Sequence, residues 1–357
     1  MARVPNSAIT RFIIDQVDTH QADIAAAVIA RFGVTRATAS NYVRRLVQSG
    51  VLDASGQTRG KRYRLKELDK ASGIESITPE TQDDDVWRRE ILPHFAAAPA
   101  NITAICAYGF TEMFNNVIDH ADSDKSIWLF ARNASIISMQ IRDYGVGIFE
   151  KIQKSCGLAD HRQALFELSK GKLTTDHRRH TGEGIFFTSR MFDYFSVVSA
   201  DIFYSRRVDD DHQWLIDWQP TTERLPGTHI VMEIAVNSAR KIEEVFSQYE
   251  TTDAGFSKTS ISLTLARYAL DQLISRSQGK RLMARLEGFR EVILDFEGVE
   301  SVGQGFADEV FRVFVLDHPT VLLIPVNMKP TVKGMVDRAR QNRPTTGALT
   351  AFPRPNG

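Results

Sequence analysis

Ala107–Ala121, AYGFTEMFNNVIDHA, decides how the rest of the chain is read. At helical period Glu112, Asn116 and His120 fall four residues apart and share one face. Phe110, Met113, Phe114 and Val117 make the other side apolar. A carboxylate can take a proton or orient a water, and a carboxamide can offer a neutral oxygen to Mg²⁺, a hard cation. Alone, the stretch also fits an amphipathic helix with a solvated polar face.

Two later stretches favour the chemical reading. Ile141–Ile148, IRDYGVGI, is a strand-like run ending in Asp143 and two glycines that permit close backbone approach. His180–Phe187, HTGEGIFF, sets glycines before an apolar helical run, whose free N–H groups suit phosphate. Gly227-Thr228 then precede the strand-like HIVMEI. The ordered set Glu112-x3-Asn116, Asp143-x-Gly145-x-Gly147, Gly182-x-Gly184 and Gly227-Thr228 resembles the GHKL ATPase family over residues 85–235. That family includes gyrase B, MutL, histidine kinases and the serine kinases that act as anti-sigma factors.

The resemblance implies a GHKL α/β sandwich that binds ATP with Mg²⁺. Asn116 matches the Mg²⁺ ligand, with Asn115 beside it, and Glu112 matches the carboxylate that activates a water or a protein hydroxyl. Asp143 is expected to accept from the adenine amino group, and Thr228 to hold adenine through water. Gly145 and Gly147 give the base room, while Gly182 and Gly184 bring backbone donors to the phosphates. The segment between Gly147 and Gly182 corresponds to the family's ATP lid. Lys170, Lys172, Arg178, Arg179 and His180 crowd its second half, and Lys172 or Arg178 is the cation expected on a γ-phosphate. Asp209–Asp211 reads as a hairpin tip.

Residues 1–65 carry ten Arg or Lys against four Asp, a net of +6, within a chain whose formal total is +0. Their pattern is three helices and a hairpin: Ser7–Thr19, Gln21–Arg31 stopped by Gly33, and a third helix N-capped by Thr35 and ended by Gly50. Val51-Leu52 and Tyr63–Leu65 flank the turn SGQTRGKR. This resembles a winged helix-turn-helix domain of bacterial transcription factors. Ala39, Val43 and Leu46 should pack inward. Arg36, Thr38, Asn41, Arg44 and Arg45 should face the major groove of duplex DNA. Arg59, Lys61 and Arg62 at the wing would meet phosphates or the minor groove. A winged helix used for protein contacts is the competing reading.

Lys66–Glu80 is polar and reads as a linker. Asp83-Asp84-Asp85 open the next helix, where negative charge is favoured. Val86, Ile91, Leu92 and Phe95 are expected in the core, with Pro93 and Pro99 as interruptions. Beyond Asn237 the pattern restarts: an amphipathic helix at Ile261–Ser275, a buried strand EVILD at Glu291–Asp295, another at Val321–Val326, and a helix over Lys329–Arg340. This resembles a STAS-like domain of unknown function found with GHKL domains. In the STAS fold the strand-to-helix loop presents a phosphorylatable serine. Here DFEGVESVGQGFADE puts Gln304 or Gly305 at that place, and Ser301 is the nearby hydroxyl.

The expected fold class is therefore multidomain α/β: winged helix-turn-helix over 1–66, linker over 67–84, GHKL α/β sandwich over 85–237 and STAS-like α/β domain over 250–345. Two cysteines give no disulfide framework, and no apolar run approaches a membrane span, so a cytoplasmic protein with no membrane partner is expected. Four functions compete: an ATP-switched DNA-binding regulator with slow hydrolysis, a serine kinase of the anti-sigma type, a histidine kinase, and a module that has lost nucleotide binding. The third lacks its phosphoacceptor helix, since His94 sits in LPHF between breakers. A protein partner for the STAS-like block and a homodimer are left open.

Overall fold

The computed structural model describes residues 6–173, 182–208, 213–217, 225–251 and 255–341. The chain divides into two compact units. The first is Met1–Ala164 with Lys172–Phe246; the second is Leu165–Gly171 with Ser247–Gly357. The whole is multidomain α/β, and among the described residues no helix is long and apolar enough to cross a membrane.

The first unit begins with helices α1 (Asn6–Gln16), α2 (Ile24–Phe32) and α3 (Arg36–Gln48) and the hairpin β1 (Leu52–Ser55) with β2 (Arg62–Leu65). Gly33 ends α2 in the left-handed conformation at φ 64°, which costs glycine nothing. Thr35 caps α3 by accepting from the Thr38 N–H. Ala39, Val43 and Leu46 pack with Ile9, Ile13, Ile24 and Val28 in one small core, as the pattern predicted.

A fully antiparallel seven-stranded sheet comes next, ordered β3-β4-β5-β9-β6-β7-β8. The strands are β3 (Asp69–Ser76), β4 (Lys125–Arg132), β5 (Ile136–Asp143), β6 (Tyr194–Ala200), β7 (Ile202–Arg207), β8 (Gln213–Asp217) and β9 (Leu225–Ala235). The stretch expected as a linker thus holds an edge strand. Its alternating half-buried and exposed residues are what an edge with one covered face requires, and its polar composition concealed that period.

The longest helix, α4 (Ala100–His120), starts after Pro99 and buries Phe110, Met113, Phe114 and Val117. Gly109 lets it approach its neighbours: a Cβ there would strike the Phe192 ring. Helices α5 (Ile148–Cys156), α6 (His161–Ser169) and α7 (Gly184–Met191) follow β5 in the chain, before β6. Asp83–Val86 is helical with its three carboxylates in the first turn, and Val86, Ile91 and Phe95 are buried. Leu92 is 39% exposed, so it leaves the expected core set; Pro93 turns that segment into a 3₁₀ turn.

The second unit is built on a parallel three-stranded sheet, β10 (Lys258–Ser262), β11 (Glu291–Asp295) and β12 (Leu322–Val326), in that order. Between β10 and β11 lie α8 (Leu263–Leu270) and α9 (Arg276–Met283); between β11 and β12 lies α10 (Gln304–Asp308), continued helically to Asp317. Helix α11 (Pro330–Gln341) closes the chain's described part. The expected helix over Ile261–Ser275 is therefore three elements. KTSIS forms a buried strand, Ser262 caps α8, and Ser275 caps α9 in a capping box with Gln278.

Candidate functional site

Helix α4 runs between two groups of the residues singled out by sequence. At its C-terminal end, the Ala121 carbonyl accepts from the Val146 N–H at 2.9 Å. A Cβ on Gly145 would fall inside that same carbonyl oxygen, so the turn after β5 fits only with glycine. Asp143 ends β5 at 4% exposure, and its Oδ1 accepts from the Gly145 N–H at 2.9 Å. Burial pushes its carboxyl up, while hydrogen bonds from Gly145 and Thr228 pull the other way.

Strand β9 supplies the facing wall. Gly227, at φ 78°, lies so close to Asp143 that any side chain would collide with its backbone and carboxylate. Thr228 is buried, and its Oγ1 accepts from the Ile148 N–H at 3.0 Å, leaving the hydroxyl proton for Asp143. Gly147 precedes α5 at φ 87°, and a Cβ there would lie 2.7 Å from the Ser199 Oγ. Ser199 is fully buried and donates to the Gly227 carbonyl at 3.0 Å. Asp143, Gly145, Gly147 and Thr228 therefore come together, although Thr228 stands far along the chain.

Glu112 belongs to the second group. Its Oε2 is set directly against Gly184, the first residue of α7, where an added Cβ would have to displace it. Tyr108, one turn earlier on α4, has its phenol pushed up by burial and by the charges of Glu112 and Glu183. Asn115 and Asn116 are half-buried on α4 between the two groups. Asn116 lies ~6 Å along the axis from Glu112, one turn nearer Ala121. Gly182, at φ 73°, packs on the backbone of Leu173. Lys172 is half-buried with a left-handed backbone (φ 54°); burial lowers its ammonium and the Glu183 charge partly restores it. Arg178, Arg179, His180 and the Asp209–Asp211 tip lie outside the described residues.

Two contributors escaped the sequence reading. Lys151 on α5 donates to the His120 carbonyl at 2.6 Å and lies 3.4 Å from the Asp122 carboxylate, closing the C-terminus of α4. Ser199 had a weak signal, a serine inside the apolar run FSVVSA. Lys151 had none, because a lysine on an amphipathic helix is ordinarily solvated.

In the N-terminal helices, Arg36, Asn41, Arg44 and Arg45 are exposed along α3, and Lys61 and Arg62 are exposed at the hairpin. Asn41 Oδ1 accepts from Arg44 Nη1 at 3.1 Å. Thr38 departs from the expected outward set: it is half-buried, its hydroxyl lies 2.9 Å from that of Thr35, and it belongs to the cap. The Arg59 side chain lies outside the described residues.

In the second unit Gln304 and Gly305 begin α10, and Ser301 is exposed in the preceding loop. Gln304 and Gly305 line a cleft with Arg276, Asp308 and Arg312. Both guanidiniums hold the Asp308 carboxylate, which they keep below the usual range, Arg312 most strongly.

A family model for a STAS-like domain of unknown function (DUF4325) matches residues 278–333. The C-terminal part of the chain is thus STAS-like, in agreement with the sequence reading of that segment. No curated protein and no solved structure matches the chain.

Proposed function

We propose that the chain is an ATP-binding, DNA-binding regulatory protein in which a GHKL-type nucleotide site controls a winged-helix reader, with slow hydrolysis through Glu112. The observation that carries the reading is the fit of Gly145 and Val146 onto Ala121, at the end of the helix bearing Glu112 and Asn116. Gly227 closes on Asp143 from the other side. Three motifs that would bind one ligand thereby face one another without space for larger side chains.

The chemistry rests on the donors. Ionised Asp143, held by Gly145 and Thr228, would turn a remaining lone pair to an amino group such as that of adenine. Asn116 offers one neutral oxygen, which suits Mg²⁺ that takes its other ligands from phosphates and water. Bound there, Mg²⁺ would neutralise phosphate charge. Glu112 would take the proton of an attacking water or hydroxyl.

Calorimetry tests the site. Wild type should bind Mg·ATP, Asn116→Ala should lose the metal-dependent part of affinity, and Asp143→Asn should weaken preference for adenine over guanine. Because the acceptor is the ionised Asp143, whose pKa burial raises, affinity should hold above that raised pKa and fall as pH drops through it. Asp143→Asn should abolish that dependence. A folded wild type that takes up no ATP overturns the reading.

The N-terminal helices should bind duplex DNA through the excess charge of α3 and the hairpin. Contacts to four phosphates give a log K against log salt slope of about −3.6. Lys61→Ala with Arg62→Ala should flatten that slope with sequence preference kept, whereas Asn41→Ala or Arg45→Ala should change preference. Titration by fluorescence anisotropy across salt concentrations measures both. An absent or salt-independent interaction would make this region a protein-docking module.

The STAS-like match favours one second reading, a protein serine kinase of the anti-sigma type using the same Glu112. Its signature would be γ-phosphate label retained on protein, with exposed Ser301 as the first hydroxyl to replace.

A further inference from the structure

Seven residues from the middle of the chain, Leu165–Gly171, belong to the C-terminal unit. The chain leaves the first unit after Ala164, gives these seven residues to the second, and re-enters the first at Lys172. They are held like core, with Leu165, Phe166, Glu167, Leu168 and Lys170 all buried.

Lys170 is the unusual member, since a lysine at 1% exposure must have all three ammonium protons satisfied. Its Nζ donates to Glu167 Oε1 at 2.8 Å, to the Ala284 carbonyl at 3.0 Å and to the Arg281 carbonyl at 3.2 Å. The two carbonyls are at the C-terminal end of α9, where the helix leaves its acceptors unpaired and favours a cation. Nζ also sits 4.7 Å from the centre of the Phe166 ring. The Lys170 carbonyl in turn accepts from Thr259 Oγ1 of β10 at 2.7 Å, and Thr259 is fully buried. Side chain and backbone of one residue are thus fixed to a helix end and a strand of the STAS-like unit.

The residues just beyond Lys170 carry the effect of this anchor onward. Gly171 turns at φ 80°, and Lys172 and Leu173 belong to the first unit again. There Leu173 is packed by Gly182, and Lys172 feels the charge of Glu183, next to the Gly184 that meets Glu112. Only Gly171 separates Lys170 from Lys172, and Leu173 follows directly.

We propose that Leu165–Gly171 is a strap through which the STAS-like unit sets the conformation of Lys172 and Leu173 and, through the packing of Gly182 on Leu173, the affinity of the nucleotide site. The affinity part rests on the nucleotide reading given above. A change in the C-terminal unit, such as docking of a protein on it, reaches the site only by favouring one of two strap states that differ in nucleotide affinity.

The test uses the full chain with Thr259→Val, which removes the hydroxyl bond to the Lys170 carbonyl at nearly constant volume, and with the neutral pair Glu167→Gln/Lys170→Met. Hydrogen exchange should speed at least about tenfold at Lys172, Leu173 and Gly182–Gly184 in both variants, with β4 and β5 unchanged. Mg·ATP affinity should shift by ~5–150-fold, the usual span of coupling. Faster exchange confined to 165–171 and 255–295, with wild-type exchange at Lys172, Leu173 and Gly182–Gly184, overturns the strap. If wild type binds no Mg·ATP the nucleotide reading fails, and exchange alone decides. Should the double variant fail to fold, the exchange pattern of Thr259→Val separates the two outcomes by itself.

Discussion

Glu112→Ala is expected to retain Mg·ATP and to lose ~10²–10⁴-fold in turnover, the range a positioned general base contributes. The geometry makes the two effects separable. Glu112 meets α7 through its carboxylate tip at Gly184, whereas the Asp143 group that would hold the base lies around Ala121 and β9, at the other end of the helix. The polypeptide at Gly184 has no side chain to fall into the vacated space, so the replacement changes chemistry more than shape. Glu112→Gln keeps the volume and loses the base, and should fall with Ala rather than with wild type. Single-turnover hydrolysis at saturating Mg·ATP reads the step directly, with affinity measured on the same samples. Equal single-turnover rates in all three proteins would reduce Glu112 to a residue that packs α7. Equal loss of affinity and rate would instead make it a ligand.

Much of the arrangement could be read beforehand because the decisive residues are glycines and carboxylates in fixed short spacings. Gly145, Gly147 and Gly227 are each required by a close approach or a left-handed backbone, and such requirements leave a mark in sequence. The small core of Ala39, Val43 and Leu46 was equally legible from its helical period. Strand β3 was not, because its apolar Ile74 is exposed while its half-buried face carries Asp69, Ala71, Gly73 and Glu75, so the hydropathy gives no strand period. Strand β10 was lost for a related reason. Its KTSIS is followed at once by α8, and the apolar residues of both join into one helical-looking pattern until Ser262 is recognised as a cap. Lys170 stands in the sequence among the cations that crowd the expected lid. It lies instead in the C-terminal unit with its charge fully occupied. Nothing local distinguishes a buried lysine from a solvated one in SKGKL; an i−3 glutamate such as Glu167 is equally usual on a solvated helix, and the two carbonyl partners are 111 and 114 residues away.

Gly145→Ala should cost at least about 3 kcal/mol of stability, more than an ordinary overpacked methyl. The reason is where the added carbon would go. It would fall inside the Ala121 carbonyl oxygen, with the Ala121 carbonyl carbon and Cα crowded behind it, and none of these is the end of a flexible side chain. That carbonyl is already used by the Val146 N–H at 2.9 Å, so moving it breaks the bond that joins the β5 turn to α4. Lys151 pins the neighbouring His120 carbonyl at 2.6 Å, which blocks the helix end from yielding. Gly157→Ala is the comparison, because Gly157 ends α5 at φ 62° with open space around its Cβ position. It carries only the penalty of a left-handed alanine, ~1–2 kcal/mol. Urea unfolding of the full chain, followed by fluorescence in the transition that reports the first unit, should place Gly145→Ala well below Gly157→Ala and both below wild type. A Gly145→Ala protein as stable as Gly157→Ala would mean that the turn and the helix end can separate at little cost. The glycine spacing after Asp143 would then record something other than this close approach.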